Sequence, residues 1–157
     1  LPMPSRPELP DLEAGVIRGG YCLEAAVGEG PRINLLGSGT ILFEVIEAAS
    51  RLRQEGFAVA VYSITSYIEL ARDAERAPDS TGTSWLSHLF SEPNVPTIAA
   101  SDYVRTLPRM IASWVPGPMM ALGTDGFGMS ERREALRAHF RIDAPAIAEA
   151  ARSLVNV

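Results

Sequence analysis

Residues 121–131, Ala-Leu-Gly-Thr-Asp-Gly-Phe-Gly-Met-Ser-Glu, set three glycines, a threonine, an aspartate and a serine between an apolar stretch and a charged one. Glycine-rich turns that lead into a helix can cradle phosphate through backbone N–H groups. Here the glycines follow G-x-x-G-x-G, not the dinucleotide spacing G-x-G-x-x-G. No acidic residue ends a second strand about 20 positions on, because Asp143 reads as the start of a helix. Asp125 repels phosphate, and the turn lies late in the chain rather than in its first βα unit. Phe127, between two glycines, reads as an aromatic side chain presented outwards or plugged into a neighbour.

The remaining chemistry-bearing residues are sparse. Gly37-Ser38-Gly39 lacks the spacing of a G-x-S-x-G nucleophile elbow. It reads as a tight strand-to-helix turn of small residues, with anion binding at the following helix N-terminus as the functional alternative. His88 and His139 are the two histidines, and neither belongs to a metal-ligand spacing. His139 is expected to be partly buried or interfacial, and so is His88. The functional alternative for His88 is a general acid or base beside a substrate channel. Glu44/Glu47 and Glu69/Asp73 have helical spacing and read as solvated faces rather than acid–base pairs. All fourteen basic residues are arginine, which removes any P-loop, Schiff-base or general-base lysine.

The elements that must position these groups alternate. Residues 19–27 and 32–39 read as two strands joined by the Gly-Glu-Gly-Pro turn. Thr40 is placed to N-cap a helix whose apolar set is Leu42, Val45, Ile46, Ala49 and Leu52, with Gly56 ending it. Residues 57–64 form an apolar, β-branched run, hence a buried strand; a helix is expected over 66–76, a loop over 77–83 and a short helix over 84–91. Strands over 95–101 and 118–124 flank a helical stretch, 102–115, that Pro108 interrupts. Ser130 is placed to cap a helix over 130–140, and Asp143 to cap the last one. The strands lack polar alternation, so both sheet faces are covered. The expected fold is a three-layer α/β domain, a mostly parallel five-stranded sheet with helices on both faces. Residues 1–18 are expected to form an extended N-terminal arm, four of the first fourteen residues being proline.

The chain has 157 residues, enough for one domain, and is 46% apolar and 21% charged, an ordinary globular balance. Its net charge of −5, with acidic and basic residues interleaved, argues against nucleic acid as a partner. No apolar run is long enough to span a membrane, and the N-terminus lacks the apolar core of a signal peptide. The single cysteine, Cys22, forms no internal disulfide and fits a cytoplasmic setting.

Five stretches together resemble one family: Gly15–Ala26, Ile33–Leu52, Val59–Asp73, Ile98–Pro116 and Leu122–Ile147. In this order they are similar to the C-terminal domain of homodimeric pyruvate dehydrogenase E1, in the transketolase superfamily. The resemblance implies a single transketolase C-terminal-like domain over 19–157. It implies service in a thiamine-diphosphate-dependent enzyme that decarboxylates a 2-oxoacid and transfers the acyl or aldehyde unit. It implies that the diphosphate, its Mg²⁺ and the aminopyrimidine are held by companion domains or chains, this chain having a structural, dimer-interface role in a homodimer or hetero-oligomer. The residues implied to reach neighbouring domains are Gly37, Ser38, Gly39, Thr40, Ser63, Thr65, Ser66, Asp125, Phe127 and Ser130, none of them catalytic. The chain departs from the family pattern in three places: Ala74 stands where a glycine is usual, the loop that follows it is shorter and lacks a Leu-His-Pro element, and Met129 stands where a basic residue is frequent. The shortened loop and the short length raise the expectation of a subunit of a split, transketolase-like enzyme of specialised metabolism. A stand-alone ligand-binding or regulatory module and a sugar-directed transketolase are the other readings.

Overall fold

The apolar run 57–64 becomes strand β3 (Ala58–Ile64), every residue of it buried. A strand with no polar alternation needs cover on both faces, and a computed structural model, which describes residues 7–77 and 84–155, provides it. The other strands are β1 (Gly20–Glu24), β2 (Arg32–Ser38), β4 (Thr97–Ala100) and β5 (Met119–Leu122). Their order is β1-β3-β2-β4-β5; β2, β3, β4 and β5 are parallel, and β1 runs antiparallel at the edge.

One face is covered by helices α2 (Leu42–Gln54) and α7 (Ala144–Val155). Val45, Ala48, Ala49 and Leu52 of α2 are fully buried against Ile33, Leu35, Val59, Val61 and Ile147. The opposite face takes α3 (Tyr67–Arg76) and α4 (Trp85–Leu89). There Leu36, Ala60, Tyr62 and Ala99 meet Tyr67, Leu70, Trp85 and Leu86. Successive residues of β2, Leu35 and Leu36, thus feed opposite cores, as the pleat requires. Burying a leucine of this kind stabilises the fold by about 1.5–3 kcal/mol.

Helix ends follow local chemistry. The Ser66 hydroxyl accepts from Glu69 N–H at the start of α3, and Ser84 does the same for Ser87 N–H at α4. Asp143 Oδ1 accepts from Ala146 N–H in the first turn of α7. Pro108 lies in a short helix α5 (Thr106–Arg109), followed by a 3-10 turn at Ala112–Trp114, so the helical stretch 102–115 is broken in two.

The two strands expected on either side of the Gly-Glu-Gly-Pro turn are present as β1 and β2, and β3 lies between them in the sheet, because the parallel β2–α2–β3 unit claims that edge of β2. Three local expectations are corrected. Within the arm 1–18, residues 12–18 are not extended but form helix α1 (Leu12–Arg18), which buries Leu12 and Gly15. Thr40 caps no helix, since Gly39 adopts φ 55° and turns the chain into a 3-10 turn, Gly39–Ile41, that runs on into α2. Ser130 caps none either: α6 (Arg133–His139) starts three residues later, from an extended Arg132. The expected loop over 77–83 lies, after Ala77, outside the described residues.

Candidate functional site

In an open parallel sheet, ligands and partners meet the carboxyl ends of the strands, above all where consecutive crossovers leave in opposite directions. Here that point lies between β2 and β4. The chain leaves β2 over one face toward β3, and it reaches β4 over the other face. Ser38 ends β2, with Gly39 and Thr40 after it; Thr65 and Ser66 follow β3, Ser101 and Asp102 follow β4, and Thr124 and Asp125 follow β5. One edge of the sheet therefore collects almost every residue singled out in the sequence. Gly37, Ser38 and Ser63 are buried in the strand ends, and Thr40, Thr65, Asp125, Phe127 and Ser130 are exposed.

The loops after β4 and β5 are latched together. Thr124 N–H donates to the Tyr103 carbonyl at 2.9 Å, and the Thr124 hydroxyl donates to the Asp102 carbonyl at 2.8 Å. Arg105 closes the latch: its backbone N–H reaches Asp125 Oδ1 at 2.8 Å and its Nε reaches Oδ2 at 2.6 Å. The Arg105 N–H, with its side chain second, holds the Asp125 carboxyl below the ordinary aspartate range. A side chain at Gly123 would collide with the Tyr103 carbonyl, so glycine is what lets the two loops touch. The latch raises Phe127 into solvent, 96% exposed, with Met129 half exposed beside it in the chain.

A second junction escaped the sequence reading. Glu44, read as part of a solvated face, is only 17% exposed. Its Oε1 accepts from Arg137 Nη1 at 2.7 Å, and its Oε2 from Ala144 N–H at 2.9 Å. Arg137 also reaches the Thr40 hydroxyl at 3.3 Å. Helices α2, α6 and α7 and the β2 turn thus meet on one carboxylate. Helical periodicity could not reveal it, since the partner lies 93 positions away. Asp73 likewise serves inwardly, accepting from Trp85 N–H at the start of α4.

Two crevices open along the edge. One, of about 280 Å³, is lined by Ser38, Ser66, Tyr67, Ile68, Tyr103 and Leu107 among others. The other, of about 210 Å³, is lined by Thr40, Asp102, Thr124, Arg133, Arg137 and Phe140 among others. His88 lines neither; it is exposed on α4 and stacks on Trp85 with ring centroids 4.8 Å apart. His139 is likewise exposed and packs edge-on against Phe140, so neither histidine, each expected to be partly buried or interfacial, is partly buried. Among the described residues no cluster of three histidine, cysteine or acidic side chains is placed to hold a metal, and no helix is long and apolar enough to cross a membrane.

Residues 19–143 match the family described as the transketolase-like TK C-terminal domain. The chain is 38% identical over 95% of its length to the pyruvate dehydrogenase E1 component of Escherichia coli K12, and 37% identical over 93% to that of Corynebacterium glutamicum. It covers 18% and 17% of those proteins, so it spans less than a fifth of the length of the curated relatives it matches. Among solved structures, the transketolase of Leishmania mexicana matches 91% of this chain with a TM-score of 0.65 at 22% identity, the chain covering 19% of it. A split-gene transketolase, in the form of an inactive β4 tetramer, matches 87% of this chain with a TM-score of 0.56 at 17% identity, the chain covering 42% of it. These two structural likenesses concern the fold.

Proposed function

Because the chain belongs to the transketolase-like TK C-terminal domain family, we propose that it is the C-terminal part of a thiamine-diphosphate-dependent enzyme that decarboxylates a 2-oxoacid and passes on the acyl or aldehyde unit. The observation that carries this reading is the 38% identity to a pyruvate dehydrogenase E1 component across nearly the whole chain. Companion domains or chains carry the rest of the enzyme, and a split-gene enzyme among the structural neighbours gives precedent for separate polypeptides.

The residues of this chain do not fit the cofactor. Asp125 is the one carboxylate of the 123–130 loop, and both its oxygens are engaged by Arg105. That carboxylate is therefore not free to ligand Mg²⁺, and among the described residues no cluster of three histidine, cysteine or acidic side chains is placed to do so. Thiamine diphosphate and Mg²⁺ are therefore assigned to the companion parts, and no chemical step is assigned to a side chain here.

What this chain contributes is a rigid wall. The Arg105–Asp125 latch fixes the loop that carries Phe127 and Met129, and a fixed, exposed aromatic and thioether pair is suited to packing on another protein surface. The test is thiamine-diphosphate-dependent decarboxylation of pyruvate by three samples: this chain, companion polypeptides bearing the other E1-type domains, and the mixture. Activity is expected to rise well above either component only in the mixture. Full activity by this chain alone, or no gain on mixing, overturns the reading.

A further inference from the structure

Asn34 is a poor strand former by type, yet it stands in β2, the central strand of the sheet. The pleat sets it on the same side as Leu36, the face that packs against α3 and α4. Its backbone N–H is taken by the Pro96 carbonyl at 2.9 Å, but among the described residues its carboxamide has no hydrogen-bond partner. Its register neighbours do not supply one. Ala60 on β3 has no polar side chain, and Thr97 on β4 directs its hydroxyl to the Val95 carbonyl at 3.4 Å. Asn34 is half-buried and lines a cavity of about 220 Å³ at the amino ends of β2 and β3, the opposite end of the sheet from the loop edge. Ala58 and Ala60 form its floor, and Tyr62 and Phe90 stand over it.

The cavity selects against ions. Its two charged side chains, Arg32 and Glu92, are half exposed at the mouth and closed on each other, Arg32 Nη1 reaching both Glu92 oxygens. Burial pushes the Tyr62 phenol up to about 12 and also raises the Cys22 thiol, so both stay uncharged at neutral pH. The Tyr62 hydroxyl already donates to the Leu89 carbonyl at 3.2 Å. A charged ligand would give up its water to neutral groups and a satisfied ion pair. The Tyr62 and Phe90 rings, 4.9 Å apart and tilted by 55°, offer an aromatic wall, which suits a flat ring. A carboxamide sets a donor beside an acceptor and pairs in a bidentate way with a planar edge that carries the reverse order.

We propose that this cavity binds a small, neutral, planar heterocycle that carries a ring N–H beside a carbonyl, as a pyrimidine base does. Its N–H donates to the Asn34 carboxamide oxygen, its carbonyl accepts from the Asn34 amide nitrogen, and the ring lies over Ala58 and Ala60 against Tyr62 and Phe90. The site is independent of the thiamine-dependent reading, because it needs no companion domain and is assayed by binding alone.

The test is an NMR titration of the 157-residue chain with uracil, and with 1,3-dimethyluracil and orotate as comparators. The first comparator lacks the N–H donors, and the second adds a carboxylate to the same ring. Uracil is expected to shift the Asn34 side-chain NH₂ resonances and the Ala60 amide saturably, with both comparators binding about tenfold or more weakly. Asn34→Leu, which keeps the size of the side chain and removes its polar edge, should weaken uracil about tenfold. Ala60→Leu should abolish binding by filling the floor; if overpacking there unfolds the chain, Asn34→Leu decides alone. The proposal is overturned if uracil gives no saturable shift. It is equally overturned if either comparator binds as well as uracil, or if the folded Asn34→Leu protein binds like the parent.

Discussion

Asp125 spends both carboxylate oxygens on one arginine, and its acidity records the fact. Its folded-state pKa is depressed, so the latch adds stability that is present above the unfolded aspartate pKa and lost as pH falls through the lower folded value. NMR titration should find the Asp125 carboxyl ionising below the ordinary aspartate range, and Arg105→Ala should raise it only part of the way back, because the backbone N–H of residue 105, the larger cause, remains. The pair is about half exposed, so Asp125→Asn should speed amide exchange locally over 123–128 while leaving global unfolding nearly unchanged. Phe127→Asp separates folding from assembly: the isolated chain should unfold within about 0.5 kcal/mol of the parent. Association with companion domains should weaken about tenfold or more by calorimetry. Cys22, whose thiol is pushed up by burial, should alkylate more slowly at neutral pH than a free cysteine.

Helices α2, α6 and α7 depend on Glu44 for their junction. Glu44→Ala leaves Arg137 and the Ala144 N–H short of a partner in a mostly buried setting, and should cost about 2–4 kcal/mol by denaturant unfolding. The contrast is Glu47→Ala: the exposed Glu47–Arg51 pair should change stability by less than about 1 kcal/mol. The two glutamates are three positions apart and look alike in the sequence; only the arrival of Arg137 from 93 residues downstream separates them. Elements with their own local signals were legible: β3 from its continuous apolar run, α3 from Ser66 and its periodicity, α7 from Asp143. Thr40 and Ser130 are good capping residues by type, but a cap forms only where the helix begins. Gly39 moves that start in one case, and an extended Arg132 moves it in the other. Helix α1 follows a proline-rich stretch and has no periodic pattern, and its place comes from the burial of Leu12 and the close approach of Gly15 to Tyr21 and Trp85.

The layer order of the whole molecule was legible because apolar runs without alternation leave a sheet no exposed face. The strand order was not, since a short glycine turn suits a hairpin as well as it suits two strands held apart by a third. The candidate edge was legible as separate loops and not as one surface, because only the parallel topology brings the ends of β2, β3, β4 and β5 to the same side. The antiparallel course of β1 has a practical consequence. Gly20 pairs with Ile64, so the polypeptide enters the sheet at the carboxyl ends of the parallel strands. Helix α7 runs beside α2 in the same direction, Ala144 near Glu44 and Arg152 near Glu55, so the polypeptide leaves at the opposite end. Anything tethered ahead of α1 is held at high effective concentration over the loop edge, whereas a tether behind α7 hangs clear of it. A donor fluorophore at the front and an acceptor on Phe127→Cys should therefore transfer energy efficiently, and the same donor at the back should transfer poorly.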